Sequence, residues 1–354
     1  MHGTEAEIEQ IEKVSMSLFE KYLTLWIVLF MVIGILVGQF FPFISDFLAS
    51  FQIAGFSVPI AICLFFMMYP TLINIEVAEL KNVVKEPKPL LVTVIANWII
   101  NPILGYILAH TFFQINPFDP FSPNQQYIVG ILLLSASPCT AMVLFWNKFG
   151  KGDIHQGLIN TSLNSVLILF LYSPLASLLI GLSGIQVPFA TLLFGTIFFL
   201  AIPLTLGIIT KKIIHNKKGK EYYTDKFKPF LDKVAIIALL ITLVVLFSLQ
   251  GDVMINRPLD VLIITIPLVI GYAIMFCTVF FTSWGLKFSY EQSVTSTIIG
   301  SSSHFEIAIA TAIALYGVGS YAAFATVIGP LWEVPLMVAF ITLVWKLKKH
   351  FPRK

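Results

Sequence analysis

The chain's 354 residues are 57% hydrophobic and only 12% charged, with a mean hydropathy of +0.89, which excludes an ordinary soluble domain and calls for a lipid bilayer. The net charge of +3 does not suggest a nucleic-acid-binding surface, and Cys63, Cys139 and Cys277 stand singly in separate apolar stretches with neither a CxxC pair nor a disulfide framework. The opening MHGTEAEIEQIEK is too polar and acidic for a secretory signal or an Arg-rich transit peptide, so residues 1–20 read as a cytoplasmic segment ahead of the first span.

A hydrocarbon core takes roughly 20 apolar residues per helix. Ten such stretches follow in order, with cores near 23–40, 55–75, 90–113, 127–146, 157–182, 187–213, 230–248, 259–281, 292–316 and 323–345. Loops rich in Lys and Arg stay cytoplasmic, and the basic residues obey this count. Lys81, Lys85 and Lys88 follow span two, and Lys148 and Lys151 follow span four. Lys211, Lys212, Lys217, Lys218, Lys220, Lys226, Lys228 and Lys233 follow span six. Lys287 follows span eight, and Lys346, Lys348, Lys349, Arg353 and Lys354 follow span ten. Lys13 and Lys21 precede span one, and the odd-numbered loops hold only Arg257. Both termini are therefore expected in the cytoplasm of a multi-pass plasma-membrane protein. The cluster after span six is read as an orientation signal in preference to a partner-binding or lipid-binding patch.

Transporters often consist of inverted repeats whose sites lie where helices break near the midplane. Span four contains Leu134-Ser135-Ala136-Ser137-Pro138-Cys139-Thr140, where Pro138 removes a backbone donor. Span nine contains Ile299-Gly300-Ser301-Ser302-Ser303-His304-Phe305-Glu306, a weak helical segment carrying two ionisable groups. Each is the fourth span of a five-span half, and an odd number of spans forces the second half to enter in the opposite sense. The expected architecture is all-α, with a first repeat over 21–183, an inverted second repeat over 187–346 and a basic cytoplasmic tail over 347–354.

Lys and Arg touch the spans only at their ends, at Lys211, Lys212 and Lys233, and the acids clearly inside are Glu306 and Glu333. Intramembrane acids are costly and usually functional, so both are candidates for proton or ion coupling. Glu333, between Pro330 and Pro335, is alternatively a partner for a neighbouring helix. Glu306 lies two positions from His304, and such residues converge only where a helix is broken. His304 is equally readable as a hydrogen-bonding residue. Cys139 alone would be a small hydrophobe. Beside Ser137, Pro138 and Thr140, its soft sulfur suits a thiophilic species such as trivalent arsenic or antimony.

At these residues the chain resembles the arsenite efflux permeases of the bile-acid and arsenite transporter superfamily, from about Glu20 to the end. The matching blocks are Lys21-Tyr22-Leu23-Thr24-Leu25-Trp26, Met67-Met68-Tyr69-Pro70, Asn97-Trp98, Cys139-Thr140-Ala141-Met142-Val143 with Trp146-Asn147 and Gly152-Asp153, Asn164-Ser165, Phe305-Glu306-Ile307-Ala308-Ile309-Ala310, Ala325-Thr326-Val327-Ile328-Gly329-Pro330-Leu331 and Glu333-Val334-Pro335. The resemblance implies ten helices, with a panel domain from spans one, two, six and seven and a core domain from the rest. It implies arsenite extrusion coupled to proton entry, with Cys139 and Glu306 as the residues tied to transport and no cofactor. No P-loop is present. The family's Ala-Arg before the cysteine is Ser137-Pro138 here, and its Asn-Asn before Phe-Glu is Ser303-His304. The missing arginine leaves Glu306 to be balanced by His304, a proton or sodium.

Trivalent arsenic hydroxide is mostly neutral in neutral water and needs hydroxyls and amides around it, which Asn97, Ser137, Thr140, Asn164 and Ser303 can supply, with His304 a further candidate contact to the substrate. The nearest alternative on the same fold is a sodium-coupled importer of an organic anion, with oxygen ligands near both breaks. An intramembrane enzyme is disfavoured because His304 and Glu306 are too few for a metalloprotease and no HExxH occurs. A channel is disfavoured by the lack of charge rings and filter loops.

Overall fold

The computed structural model describes residues 22–53, 56–73, 87–114, 122–140, 142–348 and 351. The 1–20 segment, Lys21, Lys81, Lys85 and most of the 347–354 tail, including Lys349, Arg353 and Lys354, lie outside the described residues. The fold is almost wholly helical. Helix α1 (Leu23–Phe40) meets the short α2 (Pro42–Ser50) at 95°. After a two-residue-strand hairpin, Gln52–Ile53 with Phe56–Ser57, comes α3 (Val58–Ile73). Helix α4 spans Pro87–Phe112 with a π turn at Ala96–Ile100. It is followed by α5 (Pro123–Ser135), α6 (Met142–Phe149) and α7 (Ile154–Leu182). Helix α8 runs from Phe189 to Tyr222 through a π turn at Ile197–Ala201, and α9 is Lys228–Asn256. Then come α10 (Pro258–Gly285), α11 (Tyr290–Gly300), α12 (Phe305–Tyr316) and α13 (Tyr321–Leu347).

Among the described residues, five helical stretches are individually long and apolar enough to cross a membrane: Pro87–Phe112, Ile154–Leu182, Phe189–Asn256, Pro258–Gly285 and Tyr321–Leu347. The third holds two helices, because Gly219 at φ 84° interrupts it, a conformation that only glycine adopts without strain. The stretches expected as spans four and nine are each divided, into α5 with α6 and α11 with α12. Helix starts are set by side-chain caps at Ser122, Asp153, Ser289 and Ser320, which satisfy amides that have no partner within the helix.

The distribution of polarity is that of a protein in lipid. Leu25, Phe66, Ile107, Leu178, Ile241 and Phe281 point outward, while Thr242, Ser293, Ser296, Thr297 and Thr326 are buried. The interior hydroxyls mostly donate to the carbonyl one turn back, as Thr242 does to Ala238 at 2.6 Å and Thr297 to Ser293 at 2.6 Å, so they enter an apolar interior already satisfied. Helices α1, α3, α8 and α9 pack chiefly on one another, and α4 to α7 with α10 to α13 form a second group. The first group is tightest between α1 and α9. A Cβ at Gly38 would lie 2.2 Å from the Ser248 carbonyl oxygen, and one at Gly251 would lie 2.7 Å from that of Ile35. The groups adjoin where the opening of α8 lies along α12.

Candidate substrate site at a helix crossing

Two broken helices cross at the centre of the second group. The extended segment after α5 runs antiparallel to the one before α12, with Pro138 facing Ser303. The Cys139 N–H donates to the Ser302 carbonyl at 3.2 Å, and the His304 N–H donates to the Ser137 carbonyl at 2.7 Å. The proline therefore occupies the pair that exchanges no hydrogen bonds, where its missing donor is not needed. The Ser137 hydroxyl lies 2.9 Å and 3.0 Å from the carbonyls of Leu133 and Leu134 and 3.2 Å from that of His304. It is thus turned toward backbone at the end of α5, where carbonyls lose their helical donors.

Cys139 sits in this crossing, 2% exposed and in no disulfide. Thr140 follows it, buried, and its hydroxyl has no hydrogen-bond partner among the described residues. The π turn of α4 packs on both breaks. The Asn101 amide donates to the Ser135 carbonyl at 3.1 Å, and Ala96 would meet a Cβ on Gly300 at 3.4 Å. From the same turn the Trp98 indole donates to Asn164 Oδ1 on α7 at 3.2 Å. Asn97 is 1% exposed, and among the described residues both its amide atoms lack partners, as do the Asn160 and Asn164 Nδ2 atoms. Buried amides left unpaired are expensive, about 1–3 kcal/mol each, and they offer hydrogen bonds to a small polar solute.

His304 caps α12: its Nδ1 accepts the Ile307 N–H at 3.3 Å. Nδ1 also lies 3.2 Å from Glu306 Oε2, and only the break permits that approach. The two contacts compete for Nδ1, which accepts the Ile307 amide when it carries no proton and donates to Glu306 when it does. Neither Glu306 oxygen has a hydrogen-bond partner among the described residues. Glu333, reaching in from α13, is the opposite case. Its Oε2 accepts from the Tyr272 hydroxyl at 3.1 Å, its Oε1 accepts from the Ser302 hydroxyl, and the Ser303 N–H points at Oε2 from 3.5 Å.

A cavity of about 350 Å³ lies between the two helix groups. Glu306 lines it together with Met67 and Pro70 of α3, Met142 of α6 and Leu239 of α9, and Lys148, Lys228 and Asp232 line it as well.

The crossing thus gathers Ser137, Cys139, Thr140, Ser303 and His304, with Glu306 in the turn that follows. Asn97 and Asn164 come from flanking helices joined through Trp98, and Glu333 comes from a third. Tyr272, Ser302 and Asn160 were not anticipated. Ser302 lay within the Gly-Ser run already singled out, whereas Tyr272 and Asn160 carry no local signal and matter only through tertiary packing.

With this geometry established, comparison with known proteins is informative. The Sodium Bile acid symporter family matches over residues 61–257, more than half of the chain. The chain belongs to that family. It is a multi-pass membrane transporter and not an enzyme. An uncharacterized transporter of Synechocystis is 39% identical over 96% of this chain and 91% of its own length. The arsenical-resistance protein Acr3 of Alkaliphilus metalliredigens is 35% identical over 94% of both chains, and that of Corynebacterium glutamicum is 32% identical over 95% of this chain and 91% of its own. The likeness to arsenical-resistance members of the family extends over nearly the full length.

Proposed function

We propose that this member of the Sodium Bile acid symporter family exports arsenite, and antimonite with it, from the cytoplasm across the plasma membrane in exchange for protons. One observation carries the reading. A buried thiol, Cys139, and a carboxyl without hydrogen-bond partners among the described residues, Glu306, stand on the two broken helices of a single crossing. The thiol suits a thiophilic metalloid, and the amides of Asn97 and Asn164 with the Thr140 and Ser303 hydroxyls suit its oxygens. Glu306 takes up and releases the coupling proton. The arsenical-resistance relatives support the choice of cargo.

The architecture that goes with this function is ten spans in two inverted five-span repeats, 21–183 and 187–346, with both termini cytoplasmic. Helices α1, α3, α8 and α9 make the panel domain, and α4 to α7 with α10 to α13 make the core domain. The separate packing of these groups and the breaks at equivalent places in the two halves support it.

The deciding experiment is arsenite uptake into everted vesicles under an inside-acid pH gradient. The intact protein accumulates arsenite, and Cys139→Ser and Glu306→Gln abolish accumulation. Uptake driven only by a sodium gradient, and indifferent to Cys139→Ser, would instead establish the sodium-coupled importer of an organic anion as the better starting point.

A further inference from the structure

The two buried acids are held in contrasting ways. Glu306 has His304 Nδ1 beside it at 3.2 Å and makes no hydrogen bond among the described residues, whereas three donors converge on Glu333. Tyr272 belongs to α10, Ser302 and Ser303 to the break between α11 and α12, and Glu333 to α13, so one carboxyl ties three elements together. The connection does not stop there. The carbonyl of Ser302, the residue whose hydroxyl Glu333 receives, accepts the Cys139 N–H at 3.2 Å. A continuous path of hydrogen bonds runs from Tyr272 through Glu333 and Ser302 to the backbone of Cys139, and all four residues are at least nine-tenths buried.

An extended segment between two half-helices has few bonds of its own, and the crossing supplies two backbone bonds between its two segments. Its position is fixed by what grips it from outside. Ser302 is gripped through its side chain, and Cys139 through Ser302. We infer that Glu333 and Tyr272 are positioning residues, which hold Cys139 in place through Ser302 and do not carry the coupling charge. This rests on the reading of Cys139 as the cargo-binding thiol, and it divides the labour between the two acids. Glu306 changes state during the cycle, and Glu333 keeps the crossing in register.

The test uses the full-length protein in proteoliposomes with Cys63→Ser and Cys277→Ser, so that Cys139 is the single thiol. The rate of its modification by a small neutral maleimide reports how firmly the crossing holds it. Glu333→Ala is expected to raise that rate about tenfold, the scale of one lost buried hydrogen bond. Tyr272→Phe raises it less, and Glu333→Gln least, because the amide oxygen still accepts one hydroxyl. In arsenite uptake by otherwise unmodified protein, the three variants raise KM more than they lower kcat, and the pH profile keeps its wild-type shape.

Unchanged maleimide rates in both Glu333→Ala and Tyr272→Phe would overturn the inference. So would a Glu333→Gln variant that labels like wild type but has lost its dependence on the pH gradient. The Gln and Phe variants preserve side-chain volume, so the test stands even where the Ala variant does not fold. Should the wild-type protein move no arsenite under any gradient, the transport reading fails by itself while the maleimide rates still decide the latch.

Discussion

Position 304 separates a charged role from a geometric one. The imidazole accepts the Ile307 amide through Nδ1, the task that an asparagine, the residue that the resembling permeases carry there, performs as a helix cap. His304→Asn is therefore expected to leave thermal stability in detergent within experimental error. His304→Ala, which strips the acceptor from a buried amide, should cost about 1 kcal/mol and lower the melting temperature. If Asn destabilises as much as Ala, the ring is held for some property other than its acceptor. The sequence made His304 and Glu306 visible as a pair because two ionisable groups inside a span are rare. It could not show which ring atom faces which partner, nor that the Ile307 amide and the Glu306 carboxyl both address Nδ1. Tyr272 was invisible for a related reason: a tyrosine in an apolar helix is unremarkable until the carboxylate it bonds is known.

At the level of helices, two kinds of close approach hold the assembly. Between α1 and α9 the backbones touch, and Gly38 has no room for a methyl group, since its Cβ would fall 2.2 Å from the Ser248 carbonyl oxygen. Gly38→Ala must push the helices apart, so we expect a loss of about 1–3 kcal/mol, read as a lower melting temperature and a smaller monodisperse fraction on size exclusion. Gly181→Ala on α7 meets nothing within 4 Å and provides the contrast: stability equal to or above wild type, because alanine is the better helix former. Equal losses at both positions would show that backbone contact is not what Gly38 provides. The breaks are the second kind. Pro138 and the Gly-Ser run at 300–303 made them readable, because they weaken helices in a way that composition reveals. The pairing of Pro138 with Ser303 depends on residues 165 positions apart and has no signature in either segment alone.

For the molecule as a whole, lysine placement and hydropathy together predict ten spans, whereas length alone picks out five apolar helical stretches among the described residues. The difference lies in particular segments. Val58–Ile73 has 16 residues, α5 with α6 and α11 with α12 are divided, and Gly219 splits one long stretch into two helices. The expectation of ten rests on the one-sided pattern of residues such as Lys148, Lys228 and Lys287, which depends on crossings and not on helix lengths. The same pattern predicts the direction from which the site is reached. The cavity between the helix groups is lined by Lys148 near the end of α6, Lys228 at the start of α9 and Glu306 beside the crossing, so with those lysines on the cytoplasmic side it should admit solutes from the cytoplasm in this conformation. Ile236, half-buried on α9, also lines it. With all three native cysteines replaced by serine, Ile236→Cys should react with a membrane-impermeant thiol reagent in everted vesicles several times faster than in right-side-out ones. The reverse preference would place the Lys148 and Lys228 loops outside the cell and invert the direction of transport proposed here. Equal, slow reaction from both sides would mean that the two helix groups close over the cavity in the membrane, leaving the route to Glu306 to be sought from the other face.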